Sequence, residues 1–313
     1  MSKIKNFCVQ SGAEKQFHVY KERIKMQIIT LTTDLGLKDH YVASLKGQLY
    51  ASSSEINIVD VSHNIQPFNI AQAAFFVNNV IRDFPEGTIH FIGVDALPQI
   101  SIGNPDSNLY PIVMKMGGHY FVGCDNGIFS LLNGYRKAEE IVRIDDFSSK
   151  FSLRFPTRYI YIPTILKLAA GDKMGDFGEP IDHVKKVFTT QPILEKNLIK
   201  GSVIHVDKYG NVIVNITEKL FNEIGNGNPI TIYFKNSQYF IENISKNYYE
   251  VPTAEKLALF NESGFLEIAI NKGVRGNGGG AGSLLGLHVG DTIRMEFHPK
   301  GSKDNIDSLF PTE

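Results

Sequence analysis

The sequence contains no tryptophan and only two cysteines, Cys8 and Cys124. Two cysteines are too few for a disulfide framework or a cysteine-based metal site. Such sparse use of cysteine is typical of a reducing compartment, and we therefore expect a cytoplasmic protein. Because tryptophan is absent, the 21 phenylalanines and 13 tyrosines must supply any aromatic stacking on a ligand.

The sequence also lacks a strong net charge and a long apolar run. The formal net charge is −1, and lysine and arginine are scattered along the chain, so no global field attracts nucleic acid or an anionic membrane. No apolar run approaches the ~20 residues of a membrane-spanning helix. The nine histidines do not cluster at metal-ligand spacing. We therefore expect no nucleic-acid partner, no membrane and no metal.

Apolar runs alternate with helical patterns in the first half of the chain. This alternation predicts parallel strands that are joined by crossover helices. The predicted strands are Met26–Leu31, Ile56–Val61 and Thr88–Val94, and the predicted helices are Tyr41–Tyr50 and Asn69–Phe84.

A hairpin and two further helices are predicted after the third strand. The hairpin pairs Ile112–Met116 with Tyr120–Val122 across a Gly-Gly turn, and a short helix follows at Ile128–Leu132. A longer amphipathic helix, Arg158–Ala170, is expected to end at Gly171.

The chain from about residue 200 has short strand patterns separated by polar turns, which predict a small antiparallel sheet or barrel. The predicted strands there are Gly201–Asp207, Val212–Ile216, Pro229–Phe234, Phe240–Ile244, Phe265–Ile270 and Thr292–Phe297. We thus predict a peripheral leader at 1–25, an α/β domain at 26–183, a linker at 184–199, a smaller β domain at 200–298 and a tail at 299–313. The leader is polar and lacks the apolar core of a signal peptide.

Carboxylates follow several of the predicted strands. Asp34 comes after the first strand and Asp95 closes the third. Ligands of open α/β sheets bind beyond the carboxyl ends of the strands, so both side chains are expected to face one crevice that suits a polyhydroxylated or cationic ligand. Asp34 could accept hydrogen bonds from a vicinal diol such as a ribose. The alternative is an aspartate that caps the following helix.

Other polar features of the sequence have simpler interpretations. Asp60, Asp125 with Asn126, and Asp207 with Asn211 each fit a cap or turn role when taken singly. His63 is predicted to be a hydrogen-bonded loop residue and His205 a structural residue within a strand. Gly276–Ala281 formally fits the G-x-G-x-x-A dinucleotide pattern, but it lies outside any βαβ unit, so a loop is the better interpretation.

Six motifs, taken together and in order, resemble the S-adenosyl-L-methionine (SAM) hydroxide adenosyltransferases. These enzymes are SAM hydrolases and are related to the SAM-dependent fluorinase and chlorinase. The similarity runs from about Met26 to Phe297. The motifs are Thr32-Thr-Asp-Leu-Gly36, Ile58-Val-Asp-Val-Ser-His-Asn-Ile65, Phe84-Pro-Glu-Gly-Thr88, Val122-Gly-Cys-Asp-Asn-Gly-Ile-Phe-Ser130, Val206-Asp-Lys-Tyr-Gly-Asn-Val-Ile-Val-Asn-Ile216 and Gly264-Phe-Leu-Glu-Ile-Ala-Ile-Asn271.

The resemblance implies an N-terminal Rossmann-like α/β domain with a mostly parallel central sheet, and a C-terminal antiparallel, barrel-like β domain. It also implies a homotrimer, with each active site between the N-terminal domain of one subunit and the C-terminal domain of the next. SAM is then the substrate, and no cofactor is expected. The products implied are adenosine and L-methionine.

The resemblance also implies roles for individual residues. In the N-terminal domain, Asp34 is expected to bind both ribose hydroxyls, Asp39 to approach the methionine amine, and Phe68 to contact the ligand. Asp95 and Arg158 match positions in the two segments that carry catalytic residues. In the C-terminal domain, the expected ligand contacts are Asp207 at the methionine amine, Asn211 at the adenine edge, Ser263 near the methionine carboxylate, and the backbone of Ala269–Asn271.

The sequence departs from the family where water is activated. The resemblance implies that an aspartate, an arginine and a histidine activate the water in these hydrolases. Asp95 matches the aspartate, but Ile102 stands at the arginine position and Pro156 at the histidine position, and Tyr159 replaces an aspartate. Our first hypothesis is water-driven cleavage of SAM at the ribose C5′. The alternative is a non-catalytic binder of SAM or adenosine, and a SAM-dependent halogenase is a third possibility.

Overall fold

The computed structural model describes residues 26–52, 55–101, 103–104, 107–132, 137–145, 153–273 and 279–301. The predicted leader, 1–25, and most of the predicted tail lie outside these ranges, as do Ile102 and most of the glycine-rich pattern before Ala281. The chain divides into two compact units, the first ending at Phe188 and the second beginning at Thr189.

The first unit alternates strands and helices up to its hairpin, as the sequence predicts. Helix α4 continues directly from a π-helical turn, Thr157–Tyr161. The elements are β1 Gln27–Thr33, α1 Tyr41–Ser52, β2 Ile56–Ser62, α2 Ile70–Val80, β3 Ile89–Gly93, β4 Pro111–Met116, β5 His119–Cys124, α3 Ile128–Leu131, β6 Glu140–Arg143 and α4 Ile162–Ala170.

The strands of the first unit form one mixed sheet. In the described part of the chain the strand order is β2-β1-β3-β5-β4-β6. Strands β2, β1, β3 and β5 are parallel, and β4 is antiparallel to β5 and β6. The register pairs Thr33 with Gly93. Strands β1 and β3 therefore end at the same edge of the sheet, which is where Asp34 and Asp95 follow.

Apolar side chains cover both faces of this sheet, which explains why β1 and β3 read as nearly continuous apolar runs. On one face Ile29 and Leu31 of β1 pack in a cluster with Leu45 of α1 and Ile165 of α4. On the other face a second cluster joins residues of β3, β4 and β5 to Ala73 and Val77 of α2. The first unit is thus a three-layer α/β structure.

The predicted helix ends are close to the observed ones. Asn69 accepts a hydrogen bond from the Gln72 amide and so caps α2, and a 3₁₀ turn, Ile81–Asp83, continues that helix. Gly171 adopts a left-handed conformation (φ 96°) at the C-cap of α4. This conformation favours glycine and ends the helix as predicted.

The second unit is mainly antiparallel β structure. Its elements are β7 Ile193–Glu195, β8 Leu198–Val206, β9 Val212–Thr217, α5 Glu218–Gly225, β10 Ile230–Phe234, β11 Asn236–Ile241, β12 Lys256–Phe260, β13 Phe265–Ile270, α6 Ala281–Leu284 and β14 Thr292–Phe297.

The strands of the second unit follow the order β11-β10-β14-β8-β9-β13-β12, with β7 paired to β8, within the described residues. Ile244, just after β11, bridges Ala258 of β12. The two ends of the path therefore meet, and the sheet is barrel-like. One face buries a single apolar cluster that includes Val214, Ile232 and Ile268. The predicted fold class, a mostly parallel α/β domain followed by an antiparallel barrel-like β domain, is confirmed.

Several elements were not predicted, or were predicted at shifted positions. Strand β6 has only two apolar residues between charged ends, and β12 lies in a stretch without a clear alternating pattern. Helix α5 begins after Thr217, whose hydroxyl accepts a hydrogen bond from the Leu220 amide. Strand β11 overlaps the predicted Phe240–Ile244 but begins and ends a few residues earlier.

Candidate functional site

Asp34 joins three loops of the first unit. It directly follows β1, and its Oδ2 accepts hydrogen bonds from the backbone amides of Phe68 (3.0 Å) and Asp95 (3.4 Å). The carboxylate therefore does not cap α1, which begins only at Tyr41. The described residues provide no hydrogen bond to Oδ1. Since each carboxylate oxygen can accept about two hydrogen bonds, Asp34 keeps capacity for a diol.

Both amides that bind Asp34 belong to residues with unusual backbone geometry. Phe68 has φ 66° and Asp95 has φ 47°, the left-handed region that side chains other than glycine seldom adopt. Such a conformation costs on the order of 1–3 kcal/mol and is maintained only by surrounding contacts. Phe68 is 72% exposed, which leaves it available to a ligand.

A chain of polar side chains lies behind the Asp34 turn. Thr33 Oγ1 is 2.8 Å from His63 Nδ1, and His63 Nε2 is 3.0 Å from Asp60 Oδ1. Asp60 in turn accepts a 2.5 Å hydrogen bond from Lys46. Thr33 and His63 are buried. His63 is therefore a hydrogen-bonded loop residue, as the sequence predicts.

The backbone of the Asp34 turn is tied to the same histidine. The Gly36 amide donates to the His63 carbonyl at 2.7 Å, and the Leu35 amide donates to Thr33 Oγ1 at 3.4 Å. Burial alone would raise the pKa of Asp60, but hydrogen bonds from Lys46 and His63 hold that pKa below its ordinary value. Asp60 is thus a stable anion facing the imidazole.

The pKa of the Asp95 carboxyl is shifted from its ordinary value. Burial raises its pKa, and the nearby negative charge of Asp34 raises it further. Two carboxylates that share one crevice commonly show this effect, and a raised pKa makes a carboxylate a stronger base. Asp34, Phe68 and Asp95 are therefore brought together at the carboxyl edge of the parallel strands.

The backbone after β3 is held by buried side chains from other elements. Asn126 Nδ2 donates to the carbonyls of Val94 (3.1 Å) and Asp95 (2.9 Å). Tyr161 Oη donates to the Ala96 carbonyl at 2.9 Å. The Cys124 thiol contacts the Leu97 carbonyl at 3.8 Å. Each of the four donor–acceptor contacts joins a buried side chain to the segment 94–97.

The remaining predicted residues of the first unit lie apart from these contacts. Arg158 Nη1 donates to Ser44 of α1 at 3.0 Å, and within the described ranges no hydrogen bond or ion pair joins it to Asp95. Its Nε is buried and has no hydrogen-bond partner there. Pro156 is buried at the start of the π-helical turn. Asp39 is exposed in the loop before α1.

In the second unit, Asp207 and Asn211 form one tight turn between β8 and β9. The Asn211 amide donates to Asp207 Oδ1 at 2.8 Å, and the Gly210 amide donates to the Asp207 carbonyl. Gly210 has φ 85°, and a Cβ there would lie 2.9 Å from the backbone of Gly280. The position therefore requires glycine for two independent reasons.

Asn271 and Ser263 lie at opposite ends of β13. Asn271 is buried, and its Nδ2 donates to the Val251 carbonyl at 2.7 Å. The register pairs Ile268 with Val212, directly after Asn211. Strand pairing therefore brings Asn211 to the end of β13 that carries Ala269 and Asn271. Ser263 is exposed in the turn before β13.

A buried glutamate on β13 pairs with a tyrosine of the turn Tyr248–Glu250, and this pair was not singled out from the sequence. Glu267 is 5% exposed, and Tyr248 Oη donates to its Oε1 at 2.5 Å. Burial raises the pKa of Glu267, and the charge of Asp207 adds to this effect. A glutamate within an otherwise apolar strand was the sequence signal that could have identified it.

Among the described residues, no three or more His, Cys, Asp or Glu side chains form a group that could hold a metal ion. The described helices include none long and apolar enough to cross a membrane. A cavity of about 580 Å³ in the first unit, lined by residues such as Met114, Phe129 and His183, includes none of the predicted site residues.

Comparison with known proteins identifies both units. The family model for the SAM hydroxide adenosyltransferase N-terminal domain matches residues 29–178, and the model for the C-terminal domain of the same family matches residues 201–294. The chain is 31% identical over 265 residues to the (R)-S-adenosyl-L-methionine hydrolase of Methanocaldococcus jannaschii, which covers 80% of this chain and 91% of that protein.

More distant relatives and a solved structure agree with this result. The fluorinase of Actinopolyspora mzabensis is 22% identical over 267 residues, covering 78% of this chain and 87% of that protein. A crystal structure of an uncharacterized conserved protein from Thermotoga maritima superposes with a TM-score of 0.73 at 28% identity, covering 86% of this chain and 99% of that one. This chain therefore belongs to the SAM hydroxide adenosyltransferase family, a family of enzymes whose curated members include SAM hydrolases.

Proposed function

We propose that the protein cleaves SAM at the ribose C5′ with water, giving adenosine and L-methionine. The observation that carries the proposal is the pairing of Asp34 with Asp95 at the carboxyl edge of the sheet. Asp34 is tethered through Oδ2 and keeps acceptor capacity for the ribose diol. Asp95 is a neighbouring carboxyl with a raised pKa, which suits proton abstraction from water.

The reaction balances without a cofactor. The oxygen of water forms a bond to C5′ while the C5′–sulfur bond breaks. The electron pair of the broken bond goes to sulfur. The positive sulfonium becomes the neutral thioether of methionine, and Asp95 accepts the proton that water loses. Because the sulfonium is already an activated leaving group, the protein has to supply orientation and a base.

The second unit supplies the remaining ligand contacts in this proposal. Asn211 would bind the adenine edge with the backbone of Ala269 to Asn271, Asp207 the methionine amine together with Asp39, and Ser263 the methionine carboxylate. Support comes from the turn that joins Asp207 to Asn211 and from the strand register that places Asn211 beside Ala269. The Phe68 ring, which is exposed in the first unit, would contact the ligand.

The test is product analysis in isotopically labelled water. Purified protein is incubated with SAM in H₂¹⁸O, with and without added chloride or fluoride, and the products are identified by mass spectrometry. We expect one ¹⁸O in the 5′-hydroxyl of adenosine and unlabelled methionine. Adenosine without ¹⁸O, or no adenosine at high protein concentration, would contradict water attack at C5′. A halide-dependent 5′-halo-adenosine would instead indicate a halogenase.

Matched variants connect the activity to the site. Asp34→Asn weakens two charge-assisted hydrogen bonds to the diol, each worth about 1.5–3 kcal/mol, and we expect a loss of about 10- to 100-fold in kcat/KM. Asp172→Asn makes the same chemical change at an exposed position after α4 and serves as the control. If the two substitutions change kcat/KM equally, Asp34 is not a residue of the ligand site.

A second candidate function, non-catalytic binding of SAM or adenosine, is favoured by two observations. Arg158 donates to Ser44 and not to Asp95, and Pro156 occupies the position of the expected histidine. Losing a positioned general base partner typically lowers a rate by ~10²–10⁴-fold. A binder predicts thermal stabilisation by SAM with no product, whereas the enzyme predicts both binding and labelled adenosine.

A further inference from the structure

Four consecutive carbonyl groups after β3 each receive a donor from a buried side chain. Asn126 bonds the carbonyls of residues 94 and 95, Tyr161 bonds that of residue 96, and Cys124 contacts that of residue 97. These donors come from the end of β5, the turn after it and the end of the π-helical turn. Backbone–backbone bonds make up about two-thirds of protein hydrogen bonds, so a run of four carbonyls that all contact side chains from separate elements is unusual.

The contacts converge on Asp95. The peptide before it is held at both ends, because its carbonyl accepts from Asn126 and its amide donates to Asp34. The peptide after it is held by the second Asn126 hydrogen bond. Asp95 has φ 47°, a conformation that an aspartate keeps only when its surroundings enforce it. Because both flanking peptides are held, the direction of the Asp95 Cβ is fixed. We call the donors Asn126, Tyr161 and Cys124 together the cradle of Asp95.

Apart from a hydrogen-bonding interaction between Tyr161 and Cys124, the polar atoms of the three donors serve the loop and the turn after β5. Asn126 uses both amide hydrogens on the loop, and its Oδ1 accepts from the Ile128 amide at 3.1 Å. Tyr161 is fully buried. Burial raises the pKa of the Cys124 thiol to about 12, which keeps it protonated and able to donate. A phenylalanine and an alanine would fill the last two positions if packing were their only role.

We infer that Asn126, Tyr161 and Cys124 are positioning residues that aim the Asp95 carboxylate at the attacking water. The inference rests on the proposed function, in which Asp95 is the base. Tyr161 ends the turn that follows Pro156, the segment in which the expected histidine is missing. That segment thus acts on catalysis through a buried phenol that orients Asp95.

Tyr161→Phe and a neighbouring control test the inference. Tyr161→Phe removes one buried hydroxyl that donates to the loop. Thr164→Val removes another buried hydroxyl from the same helical segment, one that donates to the Ile160 carbonyl at 2.9 Å. Misplacing a catalytic group by ~1 Å can cost about 100-fold. We expect Tyr161→Phe to lower kcat by about 10- to 100-fold with the KM for SAM within about twofold, and Thr164→Val to leave kcat near wild type.

Cysteine variants add a conservative rescue. Cys124→Ala removes the donor to the Leu97 carbonyl, whereas Cys124→Ser keeps one. We expect the alanine variant to lose kcat and the serine variant to retain most of it. If Tyr161→Phe lowers kcat no more than Thr164→Val, the positioning role is wrong while SAM cleavage stands.

A second readout does not depend on turnover. In protein labelled with ¹³C at aspartate carboxyls, the Asp95 signal is assigned from the Asp95→Asn variant and titrated with pH. We expect Tyr161→Phe to change the pH at the midpoint of the Asp95 carboxyl titration and Thr164→Val to leave that pH unchanged. Absence of turnover in the wild type would contradict the proposed function, and identical titrations in all three proteins would contradict the cradle.

Discussion

Two substitutions of His63 can separate the roles of its two contacts behind Asp34, one with Thr33 and one with Asp60. His63 contacts Thr33 through Nδ1 and Asp60 through Nε2. The carboxylate places the imidazole proton on Nε2, so Nδ1 accepts the Thr33 hydroxyl hydrogen. An asparagine side chain reaches about as far as Nδ1, and a glutamine side chain about as far as Nε2. His63→Asn therefore keeps the contact with Thr33, and His63→Gln keeps the contact with Asp60.

The structure gives the size of each effect. His63→Gln loses the buried hydrogen bond to Thr33, which costs about 1–3 kcal/mol. His63→Asn loses the 3.0 Å contact of the buried imidazole with the partly exposed Asp60 carboxylate, so both variants should lower Tm. The two losses differ in consequence, because only the Thr33 hydroxyl bonds to the backbone of the Asp34 turn. Without this hydrogen bond the Thr33 side chain is free to rotate, and the Asp34 turn is less well fixed. We expect about half of the interaction energy between the Asp34 carboxylate and the ribose diol to be lost. About 1.4 kcal/mol corresponds to a tenfold rise in KM.

Steady-state kinetics and thermal unfolding of both variants provide the assay. We expect His63→Gln to raise the KM for SAM about tenfold and His63→Asn to raise it less than about threefold, at similar Tm. Adenosine affinity, measured by calorimetry, should follow the same order, since both ligands carry the ribose diol. Equal KM values in the two variants, or a KM that follows Tm alone, would refute the role of Thr33.

Three other predictions concern pH and assembly. Asp95 has a raised pKa in the folded state, so its ionisation opposes folding above that pKa and the penalty disappears as pH falls. Asp95→Asn should therefore increase the free energy of unfolding in urea at pH 7.5 but not near pH 3.5, while abolishing turnover. Burial lowers the pKa of His90 to about 3, so below pH 6.5 the unfolded chain binds a proton that the folded chain does not. The free energy of unfolding should therefore fall as pH drops from 6.5 toward 3, and this loss should be smaller in His90→Asn. If sites form between subunits of a homotrimer, a 1:1 exchange of the impaired Asp34→Asn and Asn211→Ala subunits should raise activity to about a quarter of the wild-type value by random assortment. Sites within one subunit would leave the activity of the mixture at that of the separate variants.

Much of the fold was accessible from the sequence because it follows from periodic patterns. The apolar runs that became β1, β2 and β3 predict parallel strands, and their shared edge brings Asp34 and Asp95 together. Strand β6 was not visible, because Glu140–Arg143 has two apolar residues and gains its order from pairing with β4. Propensity alone does not reveal a strand of that kind.

The predicted site residues themselves remain predictions, but their surroundings show which information a sequence lacks. Nothing in the local sequence marks Phe68 or Asp95 for a left-handed backbone, because the amides that require it bind a carboxylate distant in the chain. Tyr161 reads from its spacing as a core residue of an amphipathic helix. Only the tertiary structure shows its hydroxyl reaching the Ala96 carbonyl.

The Cys124 thiol gives the protein an internal reporter of loop opening. Alkylating reagents attack the thiolate, and a thiol that is 1% exposed with a pKa near 12 does not react while it contacts Leu97. In a Cys8→Ser background, the slow labelling rate at Cys124 would equal the fraction of time that the segment 94–97 spends open, multiplied by the rate of a free thiol. Labelling with and without SAM would then measure whether SAM suppresses opening of this segment.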